Sequence, residues 1–298
     1  MLTKLLLASG ILCACYWLLR DQLNALDLAT VRRAMDQVSL RQLCLAVIAT
    51  AGSYGSLTVL ERILFETTGT PASWRRVLLG SFISNSVSAS VGLVLATAAL
   101  LRLRIYSRWS MAASDVLWVS LAFSPVVIMT GLLGAGLAVT LGLQDVQRKL
   151  ALAPSLLIGL ALLLALPAAA FLAIEGGRNF AWRRWRFLVP TRRHRLALVA
   201  VGLSDWVCAS CALFAVSGLA AVDFPFFLLQ FIFGWLFGAA SGLPAGTGVV
   251  DVTMVRSFGN DKNVAQLAAG LLLFRLIYFA IPAMVALALL ASSELRKR

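Results

Sequence analysis

The chain has 298 residues, of which 60% are hydrophobic and only 13% charged. Soluble domains carry about twice that share of charge, and the apolar residues here come in long blocks rather than amphipathic stripes, so a soluble protein is excluded. The formal net charge of +13 does not signal nucleic acid, because the basic residues lie in short loops between apolar blocks, where cytoplasmic loops collect Lys and Arg and meet anionic lipid.

The first apolar block covers 2–19. A signal peptide would end near Cys13 or Cys15, but Tyr16, Trp17, Leu18 and Leu19 carry the run onward, which favours a retained helix. Further blocks cover 40–60, 77–101, 116–141, 153–174, 196–216, 224–258 and 264–290. About 20 apolar residues suffice to cross the hydrocarbon core as a helix. Two blocks are interrupted at mid-depth. Ser84, Asn85, Ser86, Ser88, Ser90 and Gly92 break the third, and the run from Ser241 to Gly248, with Pro244, breaks the seventh. Backbone groups freed by such breaks must be buried in protein or face a water-filled cavity.

The arginines orient the chain. The loop 175–195 holds Arg178, Arg183, Arg184, Arg186, Arg192, Arg193 and Arg195 against Glu175, so it is expected in the cytoplasm with the tail Arg296-Lys297-Arg298. Trp182 and Trp185 in that loop read as interface anchors. Block 77–101 has basic residues on both flanks, so it is expected to enter and return from inside. Block 224–258 lies between loops poor in positive charge, near Asp223 and Asp261, and is expected to dip from outside. Block 2–19 then runs out, 40–60 in, 116–141 out, 153–174 in, 196–216 out and 264–290 in, with both termini cytoplasmic. The order span, span, hairpin, span occurs twice with opposite orientation, in halves 1–145 and 146–298 of one membrane domain. In transporters, an inverted repeat with a broken element in each half puts the substrate site at the midplane. The alternative is eight plain spans whose Gly and Ser residues pack helices.

Polar residues at mid-depth each need a reason. Asp205 lies near the middle of its block and Arg275 near the middle of the last; Asp251 follows the Gly-rich break. Asp205 or Asp251 could pair with Arg275, or Arg275 could face a cavity and meet an anionic substrate. Helices restarting after Ser90 and after Gly248 would point free N–H groups into that cavity, a suitable place for phosphate. Ser84, Asn85 and Ser88 would add neutral hydrogen bonds, and Gly246 and Gly248 close backbone approach. Arg102, Arg104 and Tyr106 read either as snorkelling residues at a cytoplasmic boundary or as a headgroup-capturing mouth. Cys208 and Cys211 lack the further ligands a metal site needs. The sequence holds no P-loop, GxSxG or HExxH motif, so neither catalysis nor a metal or other cofactor is expected.

The run Gly80-Ser81-Phe82-Ile83-Ser84-Asn85, followed by Arg102-Leu103-Arg104-Ile105-Tyr106, resembles the first half of the lysylphosphatidylglycerol synthase transmembrane-region family. The run from Gly242 to Asp251 resembles that family's Gly-rich break with a following acidic residue, and Phe274-Arg275-Leu276-Ile277-Tyr278 with Pro282 resembles its last helix. Ala245 stands where the family commonly has Gly, and Asp251 where it commonly has Glu. The resemblance implies a flippase-like membrane domain. The sequence stops at Arg298, so a stand-alone member without the aminoacyl transferase is expected.

The sequence therefore predicts an all-α integral membrane protein of a bacterial inner membrane. It has about six transmembrane helices and two re-entrant helical hairpins. Its expected role is moving a lipid, with an anionic headgroup, by alternating access without ATP. The expected binding residues are Arg275, Asp205, Asp251, Asn85, Ser84, Ser88, Gly246, Gly248, Arg102, Arg104, Tyr106 and Tyr278. A homodimer is compatible with the sequence. The alternatives are a transporter of a small soluble anion, or a membrane enzyme or accessory subunit in envelope metabolism.

Overall fold

A computed structural model describes residues 28–70, 72–91, 94–175, 179–182, 185–242, 246, 248–259 and 264–295. The expected first helix, 2–19, the C-terminal basic tail and the centre of the Gly-rich break lie outside them. The described chain is almost wholly helical, and six of its helices are long and apolar enough to cross a membrane. The protein is an all-α integral membrane protein.

A short amphipathic helix α1 (Leu28–Asp36) precedes α2 (Leu40–Thr68). Ser39 starts α2 with a capping box: the Gln42 N–H donates to Ser39 Oγ at 3.3 Å, and the Ser39 N–H to Gln42 Oε1 at 2.9 Å. Block 77–101 is two helices, α3 (Trp74–Val91) and α4 (Val94–Ser107). Arg102 of α4 meets Asn85 of α3, and Tyr106 meets Val77, so the two run antiparallel as a hairpin. Gly80 permits this packing: the Tyr106 ring occupies the space a side chain would need there.

Next come α5 (Ala113–Leu141), α6 (Leu143–Leu150) and α7 (Pro154–Ala173). The basic loop contains a short antiparallel pair, β1 (Asn179–Trp182) and β2 (Trp185–Leu188). Helix α8 (Arg192–Val216) is followed by α9 (Phe224–Ser241) and α10 (Val249–Phe258). These two also fold back on each other: Gly238 meets Gly246, and Phe226 stacks edge-on against Phe258 at 5.5 Å. The last block is continuous: α11 (Val264–Phe274), a π-helical segment (Arg275–Ala280) and α12 (Ile281–Leu295).

The centre of the bundle is the antiparallel crossing of α2 and α8, which share the most extensive helix–helix contact. Ser56 Oγ meets Ser204 Oγ at 3.2 Å and Gly52 lies against Cys208. Around this pair the hairpins pack on distant helices: α3 on α12, and α9 on α5. Side chains that face lipid gain nothing from burial there, so the helices hold together by close packing. Gly202 sits against Thr130 and Gly131 against Trp206. Helix α7 is the least buried candidate span, with Leu156, Leu162, Leu163 and Leu166 exposed.

The α2–α8 crossing can be checked directly. A Cβ at Gly52 would lie 3.7 Å from Cys208 Cβ, within the range a disulfide needs. In a background with the other cysteines changed to Ser, Gly52→Cys is expected to form a disulfide with Cys208. After cleavage at a protease site inserted beside Ala151, the two fragments should stay joined on a non-reducing gel. Fragments that separate would show a different crossing.

Candidate functional site

A cavity of about 570 Å³ opens between the two hairpins and the α2–α8 pair. Its polar groups come from Tyr54 on α2, Asn85 and Ser88 on α3, Arg102 on α4, Ser124 on α5, Asp205 on α8 and Tyr278 in the π segment. Its remaining wall is mainly apolar, including Val94 and Leu95 at the start of α4, Phe123 and Ile128 on α5, and Phe231 and Leu236 on α9. Of the two restarting helices, α4 reaches the cavity with its first turn. The second hairpin reaches it with the end of α9, at Ala239, Ala240 and Gly242.

Asp205 is midway along α8 and only 7% exposed. Ser53 Oγ donates to Asp205 Oδ1 at 2.5 Å, and Tyr278 Oη stands 2.6 Å from Ser53 Oγ. Since the Ser53 proton points at the carboxylate, the Tyr278 hydroxyl donates to Ser53. Tyr54 Oη donates to the Tyr278 carbonyl at 3.1 Å. That carbonyl lies four residues before Pro282, which has no N–H to offer it. Tyr54 thus supplies the missing donor, and α2, α8 and the last helix are tied together at one depth.

The second cluster contains a residue absent from the sequence-based site. Glu61 of α2 is fully buried, as is Arg102, which is 1% exposed. Arg102 Nε donates to Glu61 Oε2 at 3.0 Å and Nη2 to Asn85 Oδ1 at 3.1 Å. Tyr106 Oη donates to Glu61 Oε1 at 2.6 Å. The guanidinium lies 4.2 Å from the centre of the Phe123 ring, a stacked cation–π contact. Arg102 and Tyr106 are therefore interior residues of the bundle, because Glu61 neutralises the one and accepts from the other; Arg102 also lines the cavity, and Tyr106 stands behind it. Glu61 was hidden by placing the end of its block at residue 60, whereas α2 continues to Thr68. Tyr54, Thr58 and Glu61 fall on one helical face, and that polar stripe was the available signal.

The third cluster is the pair Arg275–Asp251. Arg275 Nη2 stands 2.7 Å from Asp251 Oδ2, with the side chains 25% and 21% exposed. The same oxygen accepts the Gly248 N–H at 2.9 Å, so Asp251 also caps α10 at its positive end. Gly248 adopts φ +85°, which favours glycine. Neither Arg275 nor Asp251 lines the cavity.

Of the residues expected at the site, Asn85, Ser88, Arg102, Asp205 and Tyr278 line the cavity. Ser84 donates to its own helix at Gly80 O, 2.7 Å away, Gly246 packs against Gly238, and Arg104 is on the exposed side of α4. Among the described residues no cluster of His, Cys, Asp and Glu could hold a metal ion.

Six helices long and apolar enough to cross a membrane, with a partly polar cavity in the bundle they form, define a multi-pass membrane protein. The chain is 24% identical over 277 residues to the inner membrane protein YbhN of Escherichia coli (strain K12), a match covering 90% of this chain and 84% of that one. This places it among multi-pass inner-membrane proteins. It is also 27% identical over 208 residues to the uncharacterized protein slr0712 of Synechocystis sp., over 67% of this chain. That match spans 63% of the Synechocystis protein, a little under two thirds of its length. No protein-family profile matches the chain.

Removing one partner of the buried Glu61–Arg102 pair leaves an unpaired charge, a loss of about 3–5 kcal/mol. Arg102→Leu is expected to lower the unfolding temperature of the detergent-solubilised protein sharply, and Glu61→Leu in addition to restore most of the loss. An Arg102→Leu protein as stable as wild type would show that the pair is not held together as described.

Proposed function

We propose that the protein moves a phospholipid or lipid-linked headgroup between the leaflets of the bacterial inner membrane. It does so by alternating access without ATP, as a stand-alone relative of the lysylphosphatidylglycerol synthase transmembrane region. The observation that carries this reading is the two-sided lining of the cavity. Polar groups cluster at the first hairpin and the α2–α8 crossing, while Leu95 and Ile128 line the cavity and are 64% and 46% exposed at the bundle surface. A soluble anion calls for a closed polar chamber. A lipid calls for polar lodging beside an apolar opening for its tails.

In this reading the headgroup phosphate meets Asn85, Ser88 and the first turn of α4, whose N–H groups and dipole favour an anion. Arg102, neutralised by Glu61, fixes Asn85 from behind by donating to its Oδ1. Arg275, paired with Asp251, fastens the second hairpin to the last helix instead of contacting substrate. Both hairpins are re-entrant. In the second, α9 with 18 residues is itself long enough to cross, but the ten residues of α10 rise only about 15 Å, half of a hydrocarbon core of about 30 Å. The exchange of hairpins between halves supports an inverted repeat with a midplane site. The basic loop 175–195 and both termini face the cytoplasm.

The test is movement of fluorescent phospholipids across proteoliposome membranes. Wild type is expected to accelerate movement in both directions. Ala89→Phe, which fills the cavity beside the first hairpin tip, is expected to slow it by about tenfold or more, a barrier increase of about 1.4 kcal/mol, without lowering the unfolding temperature. No acceleration with anionic, zwitterionic or prenyl-linked lipids would sink the lipid reading.

A further inference from the structure

Among the described residues, Glu61, Asp205 and Asp251 are acidic side chains within the bundle, and two of them have a cation. Glu61 is bonded to Arg102 and Asp251 to Arg275. Asp205 differs: among the described residues its hydrogen-bond partner is the neutral Ser53 hydroxyl. The groups packed around it are also neutral or engaged elsewhere. Helix α2 presents Tyr54, with Glu61 further along it and already paired; the π segment presents Tyr278; α8 itself carries Cys208. Helices α7 and α9 contain no ionisable residue, and α5 has only Asp115, in its first turn. Arg275, on the same face region of the last helix as Tyr278, is held by Asp251.

A carboxylate with no counter-charge is expensive in a low-dielectric interior, and taking up a proton removes that cost. Asp205 is also placed to exchange one, since it lines the cavity. Its protonation state is coupled to the fold. As a carboxylate it can only accept, which orients the chain Tyr278 to Ser53 to Asp205 in one direction. As an acid it carries a proton of its own, so Ser53 no longer has to donate to it and can turn toward Tyr278. The bonds affected join α2, α8 and the last helix, the elements on which the two hairpins pack.

We propose that Asp205 is the proton-coupling site of the transporter, a carboxylate that binds a proton from cavity water on one side of the membrane and returns it to water on the other. The proton adds to a carboxylate oxygen and leaves from it unchanged, so no co-reactant is required. The coupling part of this inference rests on the lipid-transport reading above; the proton site does not.

Two measurements test the parts separately. In proteoliposomes, movement of fluorescent phosphatidylglycerol by wild type is compared under inside-acid and inside-alkaline gradients. A several-fold difference between the two is expected, collapsing when a protonophore is added. Equal rates overturn the coupling and leave the lipid-transport reading standing. In parallel, infrared difference spectra between alkaline and acid buffer are recorded on solubilised wild type and Asp205→Asn, with Asp205→Glu as the conservative variant. A protonated-carboxyl band that titrates in wild type, vanishes in Asp205→Asn and returns shifted in Asp205→Glu supports the site. A band that persists in Asp205→Asn, or is missing from wild type, overturns it. If wild type moves no lipid at all, the lipid-transport reading falls, and the infrared result decides the proton site alone.

Discussion

Inside a hydrocarbon layer no water is available to satisfy a polar group, so every charge carried inward must be met by another part of the chain. The architecture follows from how this is done at three places. Glu61 takes Arg102 and Tyr106, which fastens the first hairpin to α2. Asp251 takes Arg275 and a backbone N–H, which fastens the second hairpin to the last helix. Asp205 takes Ser53, and through it Tyr278, which fastens α2, α8 and the last helix to one another. The cavity is lined by groups of the first and third of these ties, Arg102 with Asp205 and Tyr278, together with Tyr54, Asn85, Ser88 and Ser124.

The π segment shows how backbone is subjected to the same constraint. Wider helical turns are rare and cluster at functional sites. Here the wide turn runs from Arg275 to Ala280, ending two residues before Pro282. The proline leaves the Tyr278 carbonyl short of its usual donor, and the Tyr54 hydroxyl fills the gap. Tyr278 is thus held by its carbonyl on one side and its hydroxyl on the other. Tyr54 and Ser53, adjacent on α2, form those two contacts, so a shift of α2 against the last helix would break both together.

The membrane class and the boundaries of most spans were legible in the sequence, because apolar length is a local property of the chain; the serines Ser84 to Ser90, expected to break the third block, instead lie inside α3, which runs unbroken to Val91. The Asp251–Arg275 pair was one of two pairings considered, and the burial of Asp205 followed from its place in the middle of an apolar block. What the sequence could not give was partnership over long separations. Glu61 and Arg102 are 41 residues apart, and Ser53 and Asp205 are 152 apart. No periodicity links such positions. Arg102 and Tyr106 read from sequence either as snorkelling or as headgroup-binding residues, and their buried partner Glu61 belongs to neither reading. The β pair in the basic loop was missed for the opposite reason: its arginines and tryptophans were fully explained by charge and interface anchoring, and nothing further asked for a strand.

The central claim is that lipid tails reach the cavity through the apolar wall containing Leu95 and Ile128. Photolabelling with a phospholipid bearing a diazirine in its acyl chain tests it most directly, with labelled peptides mapped by mass spectrometry. The account expects label on the cavity-facing walls, at Leu95 and Ile128 and inward at Phe231 and Leu236, as well as on the outward leucines of α7. Label confined to the outer faces, with none on Phe231 or Leu236, would contradict it.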